Sequence, residues 1–245
     1  KKNVVYKFRQ NDLKNGGEGA PLTPIFHKLF VEQKKINLPV VIVNLGGISN
    51  FTLIWRSKEL KENFLISKDT GPGNCLIDQW IKKKSNKLNY DEDGKIANLG
   101  KINRKIVDQA LETTKIKRSY DLKDFNLSLF KKLSLEDGAA SLAEFTTDTL
   151  IASLYDFLND INWRKTIHVL ICGGGRKNNF LFNRIEKKIN SSVKLIDNYK
   201  VDGDFIESQA FAYLAIRSFL KLPISFPGTT GCKKPCTGGV LVKNY

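Results

Sequence analysis

VVIVNLGGISN, at residues 40–50, is an apolar run that ends in two adjacent glycines. Two further segments repeat the pattern, because DTGPGN at residues 69–74 and CGGG at residues 172–175 also follow apolar runs. An apolar run bounded by glycine predicts a buried strand followed by a turn. Glycine has no Cβ, so a phosphate or a sugar can approach the backbone N–H groups of such a turn. Together the three segments predict a cleft for a polyanionic ligand.

The remainder of the chain alternates between strand and helix patterns. Short apolar runs predict strands, and periodic apolar positions over longer segments predict helices. The predicted strands are 40–45, 51–55, 64–67, 167–171 and 193–196, and the predicted helices are 25–33, 76–83, 102–113, 136–159, 178–189 and 206–220. This order predicts an α/β layer fold.

The character of the sequence changes near residue 38. Residues 1–37 hold a glycine-rich loop, GGEGAP at 16–21, and one amphipathic segment, which we interpret as the C-terminal remnant of a first domain. Residues 38–245 form a second domain, whose last segment is expected to return to the first. Because the chain starts with Lys1 and contains no methionine, we expect a missing N-terminal segment.

The chain of 245 residues carries a net charge of +15, which raises the question of nucleic-acid binding. Its lysines are spread from Lys1 to Lys243 and form no single stripe, so we interpret them as a solvated surface and do not expect a nucleic-acid partner. No apolar run reaches the roughly 18 residues of a membrane span, and the first 30 residues lack the apolar core of a secretion signal. We therefore expect a cytoplasmic protein without a membrane partner.

Cysteine and histidine are too few to predict a metal site. Besides the two histidines, His27 and His168, the chain holds four cysteines: Cys75, Cys172, Cys232 and Cys236. We expect reduced thiols in a reducing compartment, and no metal site.

The glycine turns and several other motifs together resemble the anhydro-N-acetylmuramic acid kinase family. The matching motifs are FRQNDLKNGGEGAPLTPIFH at 8–27, VVIVNLGGISN at 40–50, DTGPGN at 69–74, DG at 93–94, LSLEDGAA at 133–140, LICGGGRKNN at 170–179, DGDFIESQAFA at 202–212 and SFPGTTG at 225–231. The resemblance covers essentially the whole chain. One glycine turn would be weak support, whereas the ordered set is specific.

The resemblance implies a fold, a reaction and two ligands. Members of the family have an RNase H-like, actin-like ATPase architecture, in which a mixed sheet is flanked by helices and ATP and sugar bind between two domains. The reaction cleaves 1,6-anhydro-N-acetylmuramic acid with water and phosphorylates its O6 with ATP, giving N-acetylmuramic acid 6-phosphate for the recycling of cell-wall sugar. Mg²⁺ accompanies the nucleotide. The family tends to dimerise, so a homodimer stays open.

Asp69 is the candidate catalytic base. It follows the short predicted strand and precedes a glycine turn, where its carboxylate could accept a proton from water. By resemblance it holds the position of the family's base. Without the resemblance, an aspartate that caps a turn would be the alternative.

The resemblance also assigns substrate and nucleotide positions. Arg9 matches a sugar-binding position, where its guanidinium could bind the lactyl carboxylate, and Glu207 matches another, where a buried carboxylate could accept sugar hydroxyls. The nucleotide positions are Gly46, Gly47, Gly173, Gly174, Gly175 and Asn178. Asn178, like Asp204, could equally cap the helix that follows it.

The chain departs from the family pattern in three places. Lys7 stands where the family usually has an acidic residue, and Glu18 stands where glutamine is usual. The family's GTSxDG segment, which holds the ATP phosphates and the metal, has no counterpart here, so we expect this chain alone to have little or no activity. Two alternatives stay open: another actin-like sugar kinase, and an inactive basic remnant that binds a partner or nucleic acid.

Overall fold

The computed structural model describes residues 3–56, 63–114 and 119–243. Its strands are β1 (Val4–Tyr6), β2 (Val40–Leu45), β3 (Ile48–Arg56), β4 (Asn63–Pro72), β5 (His168–Cys172), β6 (Ser192–Leu195) and β7 (Val240–Val242). Its α-helices are α1 (Gln10–Lys14), α2 (Pro24–Gln33), α3 (Cys75–Lys84), α4 (Lys95–Leu99), α5 (Arg104–Thr113), α6 (Leu135–Asp160), α7 (Asn179–Lys188), α8 (Ile206–Phe219) and α9 (Pro227–Thr230). The α/β fold class is confirmed.

The residues that the structure describes form two β-sheets. The larger one has the strand order β4-β3-β2-β5-β6, and the smaller one pairs β1 with β7 in antiparallel orientation. Strands β2 and β3 are neighbours joined by two residues, so they run antiparallel, because parallel neighbours need a long crossover. Strands β5 and β6 are parallel, with His168 opposite Ser192 and Ile171 opposite Leu195. The larger sheet is therefore mixed.

The chain divides into two compact units. Unit 1 comprises Lys1–Ile42, Thr52–Lys68 and Asp197–Tyr245, and unit 2 comprises Val43–Phe51 and Asp69–Ile196. The assignment of residues 1–37 to the remnant of a first domain stays a prediction. Within the described ranges, none of the helices combines the length and the apolar character needed to span a membrane.

Helix α6 is the central helix of unit 2. Ser134 begins it by accepting a hydrogen bond from the Asp137 N–H, which satisfies one of the free donors of the first turn. Gly138 lies inside the helix, where a Cβ would overlap the Trp80 ring from α3, so the glycine gives the indole its space. The Trp80 Nε1–H donates to the Leu135 carbonyl at 2.8 Å. Helices α3 and α6 are thus held by close packing and by a hydrogen bond.

A buried carboxylate joins three helices of unit 2. Glu144 on α6 is 2 % exposed and accepts hydrogen bonds from Arg184 at 2.6 and 2.7 Å and from Lys188 at 2.6 Å, both on α7. Arg104 on α5 lies 3.4 Å from the same carboxylate. Burial by itself would raise the pKa of Glu144, but the hydrogen bonds from Arg184 and Lys188 outweigh it and lower the pKa. The carboxylate therefore stays charged, and its cations hold α5 and α7 against α6.

Unit 1 buries a titratable group in a different way. His27 on α2 is 2 % exposed, and its Nδ1 lies 2.8 Å from the Thr52 hydroxyl. Burial lowers the pKa of His27 to about 4, so the imidazole is neutral at physiological pH. Nearby, Leu22, Ile25, Leu214 and Ile224 form an apolar cluster. Helices α2 and α8 pack together around this apolar interior.

Candidate functional site

The glycine turns that follow β2 and β4 are joined by backbone hydrogen bonds. The N–H of Gly73 donates to the Gly47 carbonyl at 2.9 Å, and the N–H of Asn74 donates to the Gly46 carbonyl at 2.8 Å. The N–H of Cys75, at the start of α3, also reaches the Gly47 carbonyl, at 3.2 Å. The β2–β3 turn therefore lies directly against the beginning of α3.

The turn after β5 packs against the end of β2 and the turn after β4. Gly173 has a φ of +81°, and a Cβ there would overlap the Asn44 side chain at the end of β2. A Cβ on Gly175 would lie 2.7 Å from the Leu45 Cβ and 2.8 Å from the Asn74 Oδ1. The Asn74 Nδ2–H closes the arrangement by donating to the Leu45 carbonyl at 3.1 Å. The three glycine turns thus meet within unit 2, where the carboxyl ends of β2 and β5 lie together. The polyanion cleft stays a prediction.

These glycines fall into two groups. The crowded glycines, Gly73, Gly173 and Gly175, leave no room for a side chain, because a Cβ would overlap neighbouring protein atoms. The open glycines, Gly47 and Gly174, are exposed, and a Cβ on Gly174 would meet nothing within 4 Å. A Cβ on Gly47 would only touch the Leu122 side chain at 3.9 Å. Packing therefore explains why the crowded positions are glycine and does not explain the open ones.

Gly46 is intermediate between these groups. It is half-buried, and a Cβ would lie 3.3 Å from the Ile48 carbonyl oxygen. Neither Gly46 nor Gly47 has a positive φ, so their turn is not left-handed. A role of Gly46, Gly47 and Gly174 in nucleotide binding stays a prediction.

Asn178 caps helix α7. Its Oδ1 accepts a hydrogen bond from the Leu181 N–H at 2.9 Å, which is the geometry of an N-cap side chain. The residue is 7 % exposed, and its Oδ1 occupies the place that a Cβ on Gly94 would enter. The capping alternative for Asn178 is therefore realised, and a contact with nucleotide stays a prediction.

Asp69 lies inside β4 and not at the end of a strand. The predicted strand 64–67 is too short, because β4 continues through Pro72 and the turn begins only at Gly73. The side chain is 5 % exposed, and its Oδ2 accepts hydrogen bonds from the Ser119 hydroxyl at 3.1 Å and the Tyr120 N–H at 3.0 Å. These two donors fix the orientation of the carboxylate. Its role as a base stays a prediction.

A pair of hydroxyls next to Asp69 was not found by sequence reasoning. Ser49 on β3 and Thr70 on β4 are both buried, and their hydroxyl oxygens lie 2.6 Å apart. They are 21 residues apart in the sequence, so only the pairing of β3 with β4 brings them together. The hydrogen bond between the two hydroxyls joins β3 to β4 next to the glycine turns.

The predicted sugar-binding residues belong to unit 1. Arg9 precedes α1 and is exposed, and Glu207 lies in the first turn of α8. Glu207 was expected to be buried, but it is exposed, because the buried positions of α8 are Ile206, Ala210 and Leu214. No hydrogen bond or ion pair joins the Arg9 and Glu207 side chains, both of which the structure describes. Their role in sugar binding stays a prediction.

The two departures near Arg9 lie at the surface. Lys7 is exposed, and its ammonium lies 5.2 Å from the centre of the Tyr6 ring. Glu18 is also exposed, and its N–H donates to the Thr230 carbonyl at 2.9 Å. The backbone at Glu18 is therefore fixed without any use of its carboxylate.

The geometry defines an α/β protein with a glycine-lined edge at the carboxyl ends of its strands, the usual ligand edge of α/β sheets. The family model for anhydro-N-acetylmuramic acid kinase matches residues 2–244. The chain belongs to the anhydro-N-acetylmuramic acid kinase family.

Curated relatives support the same assignment. An anhydro-N-acetylmuramic acid kinase of Pelagibacter ubique is 52% identical over 252 residues, which covers 100% of this chain and 66% of the relative. The enzyme of the same name from Zymomonas mobilis is 40% identical, with 96% of this chain and 62% of the relative covered. The chain thus spans just under two thirds of the length of these relatives. A xylulose kinase structure from Rhodospirillum rubrum aligns with 69% of this chain over 37% of the kinase chain, at 10% identity and a TM-score of 0.49. Nothing is concluded from a similarity this weak.

Proposed function

We propose that this chain serves an ATP-dependent kinase reaction on 1,6-anhydro-N-acetylmuramic acid. In this reaction water attacks the anomeric carbon, the bond from that carbon to O6 breaks, and O6 takes the γ-phosphoryl group of ATP. The products are N-acetylmuramic acid 6-phosphate and ADP. The observation that carries the proposal is the family match across residues 2–244. The open glycines support it, since they have no packing reason to be glycine.

The glycine turns fit a nucleotide. Gly46 and Gly47 would face the phosphates, and Gly173, Gly174 and Gly175 would lie along the adenosine. The absence of side chains at the open glycines leaves the backbone accessible to a bulky anion, as phosphate-binding turns require. ATP supplies the phosphoryl group, and the accompanying Mg²⁺ would neutralise its charge. We assign no side chain of this chain to that Mg²⁺.

Asp69 would accept the proton that leaves the attacking water. The hydrogen bonds from Ser119 and the Tyr120 N–H hold its Oδ2, and this positioning is what a general base needs. Arg9 would bind the lactyl carboxylate, and Glu207 would accept hydrogen bonds from sugar hydroxyls. Both of these side chains are exposed and so can meet a ligand.

The test is ADP release with anhydro-N-acetylmuramic acid as acceptor. It is measured on the 245-residue chain and on a fusion that adds the part of the Pelagibacter ubique relative that this chain does not match. We expect turnover in the fusion and little or none in the chain alone. Comparable turnover in both would contradict that expectation, and no ADP release from either would overturn the proposed function.

Two variants of the fusion sharpen the test. Asp69→Asn should lower kcat by about 10²- to 10⁴-fold, since the amide cannot accept the proton. Asp160→Asn, at the exposed end of α6, is the matched control and should keep full activity. A preference for glucose or glycerol would favour another sugar kinase. Salt-sensitive binding to nucleic acid without ATP affinity would favour a basic binding protein.

Cytoplasmic location and a homodimer complete the proposal. Both follow from the family and are independent of the chemistry of the site. Sedimentation equilibrium of the fusion measures its oligomeric state directly, and a monomer at micromolar concentration would contradict the homodimer.

A further inference from the structure

A buried cluster of metal-ligating side chains lies in unit 1, and none of its members has been given a role above. Asp12 on α1 and the two thiols of Cys232 and Cys236 each offer one ligand atom, and these atoms all lie within 4.8 Å of one another. The residues are 1 %, 1 % and 4 % exposed. More than 200 residues of sequence separate the aspartate from the cysteines, so the fold itself assembles the cluster.

The backbone around the cysteines is held in place without a metal. The N–H of Cys236 donates to the Ser225 carbonyl at 3.0 Å, and the Ser225 N–H donates to the Cys236 carbonyl at 3.2 Å. Lys233, between the cysteines, donates its N–H to the Asn15 carbonyl at 3.1 Å. The segment is therefore fixed both to itself and to the end of α1, which favours a preformed ligand geometry.

Asp12 is a buried carboxylate whose oxygens are held by two hydrogen bonds. Its Oδ2 accepts a hydrogen bond from the Gly19 N–H at 2.7 Å, and its Oδ1 accepts one from the Thr230 hydroxyl at 2.6 Å. Within the ranges that the structure describes, no lysine, arginine or histidine forms an ion pair with it. Buried charges are usually paired or bound to a metal. Each oxygen also keeps a second lone pair with which to bind a cation.

We propose that Asp12, Cys232 and Cys236 bind one thiophilic divalent cation of the Zn²⁺ class. The C-x3-C spacing lies within the range of known zinc sites, and thiolate, imidazole and carboxylate are the ligands that Zn²⁺ takes. With Zn–S bonds of about 2.3 Å in a tetrahedron, two ligand sulfurs lie roughly 3.8 Å apart. A ligand oxygen at about 2.0–2.2 Å from the ion lies roughly 3.5–3.7 Å from each sulfur. The observed cluster therefore needs a contraction of no more than about 1.3 Å to reach ligand distances.

The fourth ligand is a water or the Ser225 hydroxyl, whose oxygen lies 4.0 Å from the Cys232 sulfur. Binding releases the two thiol protons, including the one that Cys236 directs at the Lys234 carbonyl oxygen, 2.9 Å from its sulfur. The ion would fasten α1 and the loop at Gly16–Gly19 to the segment that follows α9. The scarcity of histidine led to the expectation of no metal site, whereas the third group of this cluster is an aspartate.

The experiment titrates the purified, untagged and fully reduced chain with Co²⁺ as a probe and then displaces it with Zn²⁺ under a competing chelator. One equivalent of Co²⁺ should bind with the intense sulfur-to-metal charge-transfer absorption of a thiolate site. Native mass spectrometry should show one Zn²⁺ after displacement. The melting temperature of the zinc-loaded chain should exceed that of the chelated chain, since the ion binds the folded form.

Matched variants locate the ligands. Cys232→Ser and Cys236→Ser should each weaken Zn²⁺ binding by more than roughly 100-fold, beyond the effect of losing an outer contact. Cys75→Ser, another buried thiol, should bind Zn²⁺ like the original chain. Circular dichroism of each variant checks its fold. The proposal would be overturned if the folded original chain showed no charge-transfer band. It would also be overturned if a variant with both Cys232→Ser and Cys236→Ser bound Zn²⁺ with unchanged affinity, or if a Cys232–Cys236 disulfide persisted in reductant.

Discussion

The crowded and the open glycines of unit 2 use the same residue type for opposite reasons. At Gly73, Gly173 and Gly175 a side chain would overlap protein atoms, so these positions serve the packing of the turns. At Gly47 and Gly174 nothing in the protein needs the space. The difference teaches that the two groups can be separated by experiment: a substitution in the first should cost stability, and one in the second should cost ligand affinity.

Gly73→Ala should have the largest effect on stability. A Cβ here would overlap the Gly46 carbonyl oxygen, and a backbone atom cannot move aside as a side chain can. We expect the free energy of unfolding to fall by about 3 kcal/mol or more. Urea denaturation followed by circular dichroism measures this. A loss below about 0.5 kcal/mol would show that the turns can separate at no cost, and the distinction between the two groups would fail.

The reactivity of the Cys75 thiol measures how accessible the start of α3, beside the crowded glycines, is to solvent. Burial raises the pKa of the Cys75 thiol to about 11, so little thiolate forms near pH 8. Alkylation by iodoacetamide at pH 8 should be about 100-fold slower in the folded chain than in urea, as a shift of about two pKa units predicts. Peptide mapping by mass spectrometry gives the rate. Equal alkylation rates in the folded chain and in urea would mean that the start of α3, beside the crowded glycines, is open to solvent.

Asn74→Ala should have a smaller effect. The substitution removes the hydrogen bond from the Asn74 side chain to the Leu45 carbonyl and leaves that oxygen without this donor. We expect a loss of about 1 kcal/mol in the free energy of unfolding. Asn74→Asp is the companion variant, because it keeps the shape of the side chain and replaces the donor with an acceptor. If both variants are as stable as the original, this hydrogen bond does not hold the two turns together.

Gly174→Ala should have the smallest effect on stability, within about 0.5 kcal/mol, since the new Cβ enters open space. The affinity of the chain or of the fusion for a non-hydrolysable ATP analogue should nevertheless fall. Isothermal titration measures the affinity and thermal unfolding measures the stability. An alanine that leaves both unchanged would remove the functional reading of the open glycines, while a large loss of stability would place Gly174 in the crowded group.

Much of the fold was predictable because its strands and helices are periodic over many residues. The glycine turns after β2 and β5 and the cap at Asn178 followed from local sequence. Strands β1 and β7 were not predicted, because three residues carry too little pattern and their pairing joins opposite ends of the chain. Non-local pairs of this kind leave no signal in a single sequence.

The site was predictable in its glycines and less so in its side chains. DTGP at 69–72 has the composition of a turn, yet pairing in the sheet keeps it extended, so Asp69 lies within β4. Glu207 was expected to be buried, although its place among the exposed positions of α8 depends on which face of that helix packs inward. Asp12 was overlooked because its partners come from residues 19 and 230.

The neutral imidazole of His27 makes proton uptake part of unfolding. An exposed histidine titrates near pH 6.5, whereas burial lowers the pKa of His27 to about 4, so between these values only the unfolded chain binds the proton. Acidification from pH 7 to pH 4 should therefore lower the free energy of unfolding by on the order of 3 kcal/mol, and the loss from this group should level off just below pH 4. A His27→Gln variant should have a flatter stability profile across that interval. Unit 1 thus carries an acid sensitivity that begins at a higher pH than that of the paired carboxylate of unit 2, because the pKa of Glu144 is lowered by its cations.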